Sequence, residues 1–273
     1  MSLASLADLT FDRWRALDRD AAHHRAREAA RLVDGRLVEF DGAPHLGGVL
    51  HHAVIEREGQ RFALIPGGEV TVGFDLADWR PLPEQVDSYR TESLAGGFGF
   101  DDDLVAHLAR HLTPRRTAVV PTVLMAVEPL ELPEEAESVP DFLAGLGLRL
   151  PGPDEWEHAC GAGAQTLFRW GPACPLDLSP YGEHNDPTGE RRRPNAFGLR
   201  IARDVYESEM TSDPGSVYGG DGGEAVCGGY GSFVEWLPLA TANRNPGMAE
   251  FLNGPDGEGM SDEFGIRPVL DPS

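Results

Sequence analysis

The chain has 273 residues, of which 45 are acidic and 23 basic, giving a formal net charge of −22 at pH 7. A charge of this sign repels phosphate backbones and anionic membrane surfaces, so nucleic acid and membranes are excluded as expected partners. All 23 basic residues are arginine, which excludes Schiff-base lysine chemistry and the lysines of P-loop and kinase phosphate sites.

The cysteines and the first residues indicate the compartment. Cys160, Cys174 and Cys227 are odd in number and have no CxxC spacing, so neither a disulfide framework nor a structural zinc site is predicted. The N-terminus lacks a basic start followed by an apolar stretch, and no apolar run is long enough to span a bilayer. We therefore expect a cytoplasmic protein, and the Arg-, Ala-, Gly- and Pro-rich composition is typical of a GC-rich bacterial genome.

The first third of the chain changes from a helical to a strand pattern. Apolar residues recur at helical spacing through residues 3–33, which predicts one or two amphipathic helices. From residue 36, apolar and polar residues alternate in short stretches, and Gly67 and Gly68 are predicted to form a hairpin turn between the last two strands. We therefore divide the chain into an N-terminal helical extension, residues 1–35, and a main domain, residues 36–273.

Two further elements precede an irregular second half. Residues 101–112 predict a helix with aspartates at its start, and residues 117–127 predict a strand. His107 and His111 are four positions apart, so a helix places both imidazoles on one face, as a metal-binding pair requires. After Trp170, Gly, Pro, Asn and Asp interrupt every apolar stretch. The sequence predicts an α+β fold whose second half is dominated by loops.

The segment LRLPGPDEWEHACG, residues 148–161, combines three carboxylates and an imidazole within five positions. Two interpretations of Asp154, Glu155, Glu157 and His158 are open at this point. The cluster can hold a metal ion, or its acids can be stabilised by the start of a helix with Pro153 at the first helical position.

Several segments, taken in order along the chain, resemble the formylglycine-generating enzyme (sulfatase-modifying factor) family. They match the opening hairpin, the Arg-Leu-Pro…Glu-Trp-Glu helix, two internal loops and the closing strand of that family. The segments are RFALIPGGEVTVGFD (61–75), LRLPGPDEWEHACGAGA (148–164), FRWG (168–171), PNAFGL (194–199) and EFGIRPVL (263–270). The resemblance implies a loop-rich fold related to that of C-type lectins, and in this family the Glu-Trp-Glu helix is architectural.

The chain departs from the family at the residues that carry its oxidase chemistry. The copper-dependent members bind Cu(I) through two cysteine thiolates, and the resemblance puts Phe233 and Pro238 at those two positions. Neither side chain can bind copper, and Cys227 stands too early and alone. The resemblance therefore implies a member that lacks the copper pair.

Two other metals are suggested by related proteins, although no cofactor is required by the sequence. The family's calcium site would correspond to Asp204 with Asn185 and Asp186 nearby. A branch resembling ergothioneine-type sulfoxide synthases uses non-haem iron with three histidines, for which His107 and His111 are candidate ligands. Calcium is the first of these alternatives and iron the second.

Two functional hypotheses follow. The first is a noncatalytic accessory module, a pseudoenzyme that binds a small molecule, a peptide or a protein; the second is a divergent metal-dependent oxidoreductase or tailoring enzyme that uses histidine ligands. Whether the chain is an enzyme thus stays open, as does its oligomeric state. The family's substrate cleft implies a set of ligand-binding residues. They are Asn195, Tyr230, Ser232, Trp236, Asn243 and Arg244.

Overall fold

A computed structural model describes residues 6–130, 138–182, 189–254 and 265–272. Over these ranges the chain is an α+β protein with open, mainly antiparallel sheets, as the sequence predicts. The helices are α1 (Phe11–Ala16), α2 (Arg19–Leu32), α3 (Pro83–Ser88), α4 (Leu104–His111), α5 (Val139–Gly145), α6 (Pro153–Gly161), α7 (Glu224–Gly228), α8 (Ser232–Trp236) and α9 (Pro246–Asn253). The strands are β1 (Arg36–His45), β2 (Gly48–Arg57), β3 (Gln60–Ile65), β4 (Gly68–Val72), β5 (Arg116–Val120), β6 (Val123–Ala126), β7 (Glu209–Met210), β8 (Val217–Tyr218), β9 (Gly265–Ile266) and β10 (Val269–Leu270).

The main sheet has the strand order β1-β2-β3-β6-β10, and two hairpins build its first half. Each hairpin has a two-residue turn with positive φ at both positions: 46° and 77° at Leu46-Gly47, 52° and 82° at Glu58-Gly59. This is the type I′ geometry, whose twist matches that of antiparallel strands. The first three strands therefore pair locally in sequence order.

The predicted hairpin at Gly67 and Gly68 is wrong. Strand β3 pairs with β2 and β6, whereas β4 leaves the main sheet and pairs with β5. A side chain at Gly67 would lie 2.2 Å from the carbonyl oxygen of Val120, so this glycine allows two backbones to approach closely. Its N–H donates to the Thr122 hydroxyl, and its carbonyl accepts from the N–H of Phe11.

The predicted strand 117–127 is likewise two strands in different sheets. Strand β5 ends at Val120 and β6 begins at Val123. Pro121 lies between them and has no N–H for a ladder. The break lets β5 pair with β4 while β6 enters the main sheet.

The N-terminal helices pack on the main sheet and share its core. Trp14 is fully buried, and its indole N–H donates to the carbonyl oxygen of His51 on β2 at 2.8 Å. Small side chains on α2, including Ala22, Ala26 and Ala29, are fully buried in the same cluster. Residues 6–32 are therefore part of the main hydrophobic core.

Helix α6 contains the carboxylate and imidazole cluster, and each of these side chains has an internal partner. Glu155 accepts from the N–H of Gly152 at 2.5 Å, and Glu157 accepts from the Thr113 hydroxyl at 2.8 Å. Asp154 is bonded to Arg116, and His158 bonds the Pro66 carbonyl oxygen at 2.8 Å. Trp156, on the same helix, is fully buried. The structure agrees with the architectural interpretation of this segment.

A buried ion pair between Arg267 and Glu209 connects β7 to the segment between β9 and β10, and Glu209 also contacts this helix. The Arg267 guanidinium is fully buried and binds both carboxylate oxygens of Glu209, at 2.8 and 2.5 Å. It also donates to the backbone carbonyl oxygens of Ala126, Val127 and Arg200, each within 2.8 Å. Glu209 accepts in addition from the indole N–H of Trp156 at 2.7 Å.

The helices are short. The longest described helix, α2, has 14 residues, and no helix within the described ranges has the length and apolar character needed to cross a membrane.

Candidate functional site

One pocket of about 370 Å³ lies between α4 and the loops around α7, α8 and α9. Five of the residues singled out from the sequence line it, namely His107, His111, Tyr230, Asn243 and Arg244. The candidate metal pair and part of the candidate ligand set thus line the same cavity. From the sequence, these two groups of residues belong to two separate hypotheses.

Helix α4 and the segment after α8 form one wall. Asp103 is the N-cap residue of this helix, and its carboxylate accepts from the N–H of Val105 at 3.0 Å. At its other end the His111 carbonyl oxygen accepts from the N–H of Arg244 at 2.8 Å, and Leu112 bridges to Asn243. These backbone bonds fix Asn243 and Arg244 beside the two imidazoles.

His107 and His111 lie one turn apart on α4, with ring centroids separated by 4.9 Å and ring planes inclined by 47°. His107 is only 3% exposed, and neither imidazole has a hydrogen-bond partner among the described residues. Burial, and then the neighbouring His111, lower the pKa of His107 to about 4. Burial also lowers the pKa of His111. Both rings are therefore neutral at pH 7 and able to donate or accept within the pocket.

Aromatic rings cover the side of the pocket next to His107. The ring of Phe100 lies 4.8 Å from that of His107 and 5.2 Å from that of Tyr230, centroid to centroid. Phe98 packs on both Phe100 and Tyr230 at the surface. Phe100 and Tyr230 thus contribute aromatic surface to the lining.

Arg244 differs from most arginines of this protein because no acidic side chain of the described residues pairs with it. No ion pair or side-chain hydrogen bond links its guanidinium to any residue within the described ranges, and its Nε is buried without a partner. Arg110, which lines the same pocket, is bound instead to Asp101 at 2.7 Å. The guanidinium of Arg244 is partly buried and keeps N–H groups that no described residue accepts from, so it is available to an anion.

Two acidic residues, Asp221 and Glu224, also line the pocket, and they differ in role. Asp221 is buried and accepts from the N–H groups of Gly223 and Ala225, at 2.9 and 3.0 Å, so it shapes the turn before α7. Burial raises the pKa of Asp221 to about 6. Glu224 is exposed and accepts from the Tyr230 hydroxyl at 3.3 Å. Only Glu224 keeps a carboxylate available to a ligand.

Three predicted ligand residues lie outside this pocket. Asn195 is bound entirely to backbone, donating to Ala159 and Cys160 and accepting from two N–H groups of its own turn. Trp236 is 1% exposed and donates to the Leu178 carbonyl oxygen at 3.0 Å. Ser232 begins α8, and its N–H donates to Glu92 at 2.6 Å. Their contacts in the structure support the scaffold.

Only one of the three candidate calcium residues, Asp204, lies within the described structure. Asp204 accepts from the N–H of Tyr206 at 3.1 Å in a local turn, and Asn185 and Asp186 lie outside the described residues. In the part of the chain that is described, no group of three or more His, Cys, Asp or Glu side chains is placed to hold a metal ion.

No family model matches the chain, and no curated protein matches it.

Sequence reasoning missed the two acids of the pocket. Asp221 and Glu224 belong to a glycine-rich stretch, residues 218–231, which the sequence suggests only as turns. Part of the site is visible in the sequence, because Asp221, Glu224 and Tyr230 lie close together in this glycine-rich stretch. What the sequence lacks is the long-range placement of this loop opposite α4.

Proposed function

We propose that this chain is a noncatalytic binding module whose pocket takes a small ligand with a carboxylate or similar anionic group. The observation that carries the proposal is the unpaired guanidinium of Arg244 in the pocket. In a protein with almost twice as many acids as bases, a partly buried arginine without a carboxylate is best explained by an anion from outside.

The chemistry of the wall fits such a ligand. A guanidinium binds a carboxylate through two parallel N–H bonds, which fixes orientation as well as affinity. Asn243 is 5% exposed and lies beside it, and the two neutral imidazoles add hydrogen-bonding groups. Val234 and Leu237 supply apolar surface. The volume is at the small end of the range for ligand pockets, which favours a small molecule over a protein segment.

We propose further that the chain is a degenerate relative of the formylglycine-generating enzymes with a C-type-lectin-like fold. The ordered motifs support this proposal. The surroundings of Phe233 and Pro238, the two positions where the family has thiols, support it as well. Pro238 lines the pocket and Phe233 is fully buried behind it. No cysteine is among the described residues of the lining, so a copper-thiolate oxidase has no ligands here.

Substituting Arg244 by Gln tests the binding proposal. Isothermal titration calorimetry with a panel of monocarboxylates, including 3-phenylpropionate, benzoate and hexanoate, should find binding to the unaltered chain. The Arg244→Gln variant should bind the best of them at least about tenfold more weakly, because the charged bidentate contact is lost.

The matched control is Arg27→Gln, because Arg27 is exposed on α2, away from the pocket. It should bind as the unaltered chain does. Equal affinity in the Arg244→Gln and Arg27→Gln variants, or no binding of any monocarboxylate, would contradict the proposal.

A second candidate, a metal-dependent enzyme with histidine ligands, is favoured by one observation. His107 and His111 are neighbours in the pocket and neutral at pH 7, which is the state that binds iron or zinc. Against it, neither ring donates to a carboxylate or carbonyl among the described residues, whereas metal-binding histidines almost always have such a partner.

Elemental analysis decides between the two candidates. After reconstitution with Fe(II) and removal of free metal, inductively coupled plasma mass spectrometry should find far less than one equivalent of transition metal. One equivalent that disappears in His107→Ala, but persists in a His24→Ala control on α2, would replace the binding proposal by the enzyme.

A further inference from the structure

The pocket holds two opposite charges that do not neutralise each other. Arg244 and Glu224 both line it, and no ion pair joins them or links either to another side chain of the described ranges. The guanidinium has no partner, and the Glu224 carboxylate has only the Tyr230 hydroxyl, at 3.3 Å. Two groups that would attract each other thus line one cavity without forming an ion pair.

The surroundings of Glu224 are those of a site for a cationic group. The Tyr230 ring lies beside the carboxylate and packs on Phe100 with centroids 5.2 Å apart. An ammonium group is attracted both by a carboxylate and by the faces of aromatic rings. The remaining cation of the lining, Arg110, is already bound to Asp101.

The surroundings of Arg244 have the complementary character. Its backbone N–H is bonded to His111, and its buried Nε has no acceptor. Asn243 and the neutral imidazoles line the same cavity, and none of them carries a negative charge. A carboxylate is the ligand group that would satisfy this end.

We propose that the pocket binds a zwitterion, with its carboxylate at Arg244 and its ammonium at Glu224, the class of the free amino acids. This inference rests on the proposed function and names its ligand class. The apolar part of the lining, which includes Ala225, Val234 and Leu237, favours an amino acid with an apolar or aromatic side chain.

The experiment compares ligands that differ in one charge. The twenty free amino acids are screened by thermal shift on the full chain, and the best is titrated calorimetrically beside two analogues. For phenylalanine these are 3-phenylpropionate, which lacks the ammonium, and phenethylamine, which lacks the carboxylate. Loss of either charge should weaken binding by about tenfold or more, since each removes a charge-assisted contact.

Two variants locate the charges. In Glu224→Gln the amino acid and its deaminated analogue should bind equally, and in Arg244→Gln the amino acid and its decarboxylated analogue should do so. Glu84→Gln, an exposed acid on α3, is the control and should keep the full preference.

The outcomes separate the two proposals. A deaminated acid that binds the unaltered chain as tightly as the amino acid, and still depends on Arg244, overturns the zwitterion and leaves the anion-binding module standing. Failure of every amino acid in the screen also overturns the zwitterion. Absence of any Arg244-dependent binding in either panel overturns both.

Discussion

Replacing Arg267 by Met should lower the free energy of unfolding by about 3–5 kcal/mol, because one partner of a buried ion pair is removed. Glu209 would keep its bond from Trp156 but lose the guanidinium that binds both of its oxygens. Three backbone carbonyl oxygens from β6 and two loops would lose a donor in the same step. Equilibrium urea denaturation followed by tryptophan fluorescence measures the change.

Arg61→Met is the matched control. Arg61 pairs with Glu39 at the surface, at 2.5 Å, and exposed pairs contribute less than about 1 kcal/mol. A loss for Arg267→Met no larger than that of the control would show that the buried cluster contributes little. Replacing both members of the buried pair by apolar residues should cost less than the single change, since no unpaired charge remains.

Acidification should destabilise the protein through His158. Its Nε2 bonds the Pro66 carbonyl oxygen, while its Nδ1 is buried with no partner among the described residues. Burial lowers the pKa of His158 to about 4 from 6.5. Between these values the unfolded chain binds a proton that the folded chain does not, so stability is full above pH 6.5 and falls as the pH is lowered. At about 1.4 kcal/mol per pH unit, the loss by pH 4 is about 3 kcal/mol.

The His158→Gln variant isolates this contribution. Its amide can still donate to Pro66 but does not titrate, so the variant should be less stable at pH 7.5 and lose less stability down to pH 4. The variant has to be compared with the unaltered chain because other groups also change the stability with pH. Asp221, whose pKa is raised to about 6, stabilises the folded chain as the pH falls, which is opposite to the effect of His158. Urea denaturation at pH 7.5, 6, 5 and 4 gives both curves; parallel curves would contradict the prediction.

Local patterns predicted the elements better than their partners. The helix at 101–112 is found as α4, and the alternation after residue 36 gives the first strands, since both depend on periodicity within one segment. The pairing of β4 with β5 was missed, because it depends on the close approach of Gly67 to Val120, 53 positions later. A Gly-Gly pair is compatible with a hairpin turn and with such a contact, and only tertiary structure distinguishes them.

The candidate site shows the same division. The spacing of His107 and His111 correctly placed both rings on one side of a helix. The resemblance pointed to the segment of Tyr230 and Arg244 but also to Trp236, whose side chain faces the core. Which face of a five-residue helix such as α8 is buried cannot be read from so short a period. That Arg244 has no side-chain partner among the described residues follows from the tertiary arrangement and not from a local pattern.

The position of Arg267 has a consequence for synthesis on the ribosome. This residue contacts the carbonyl oxygen of Ala126, 141 positions earlier in the chain, and β10 follows it to pair with β6. Until residues 267–270 have emerged from the exit tunnel, the nascent chain lacks Arg267 and β10, and the apolar strand β6 remains an open edge. The incomplete chain therefore exposes an edge of the kind that chaperones protect from aggregation.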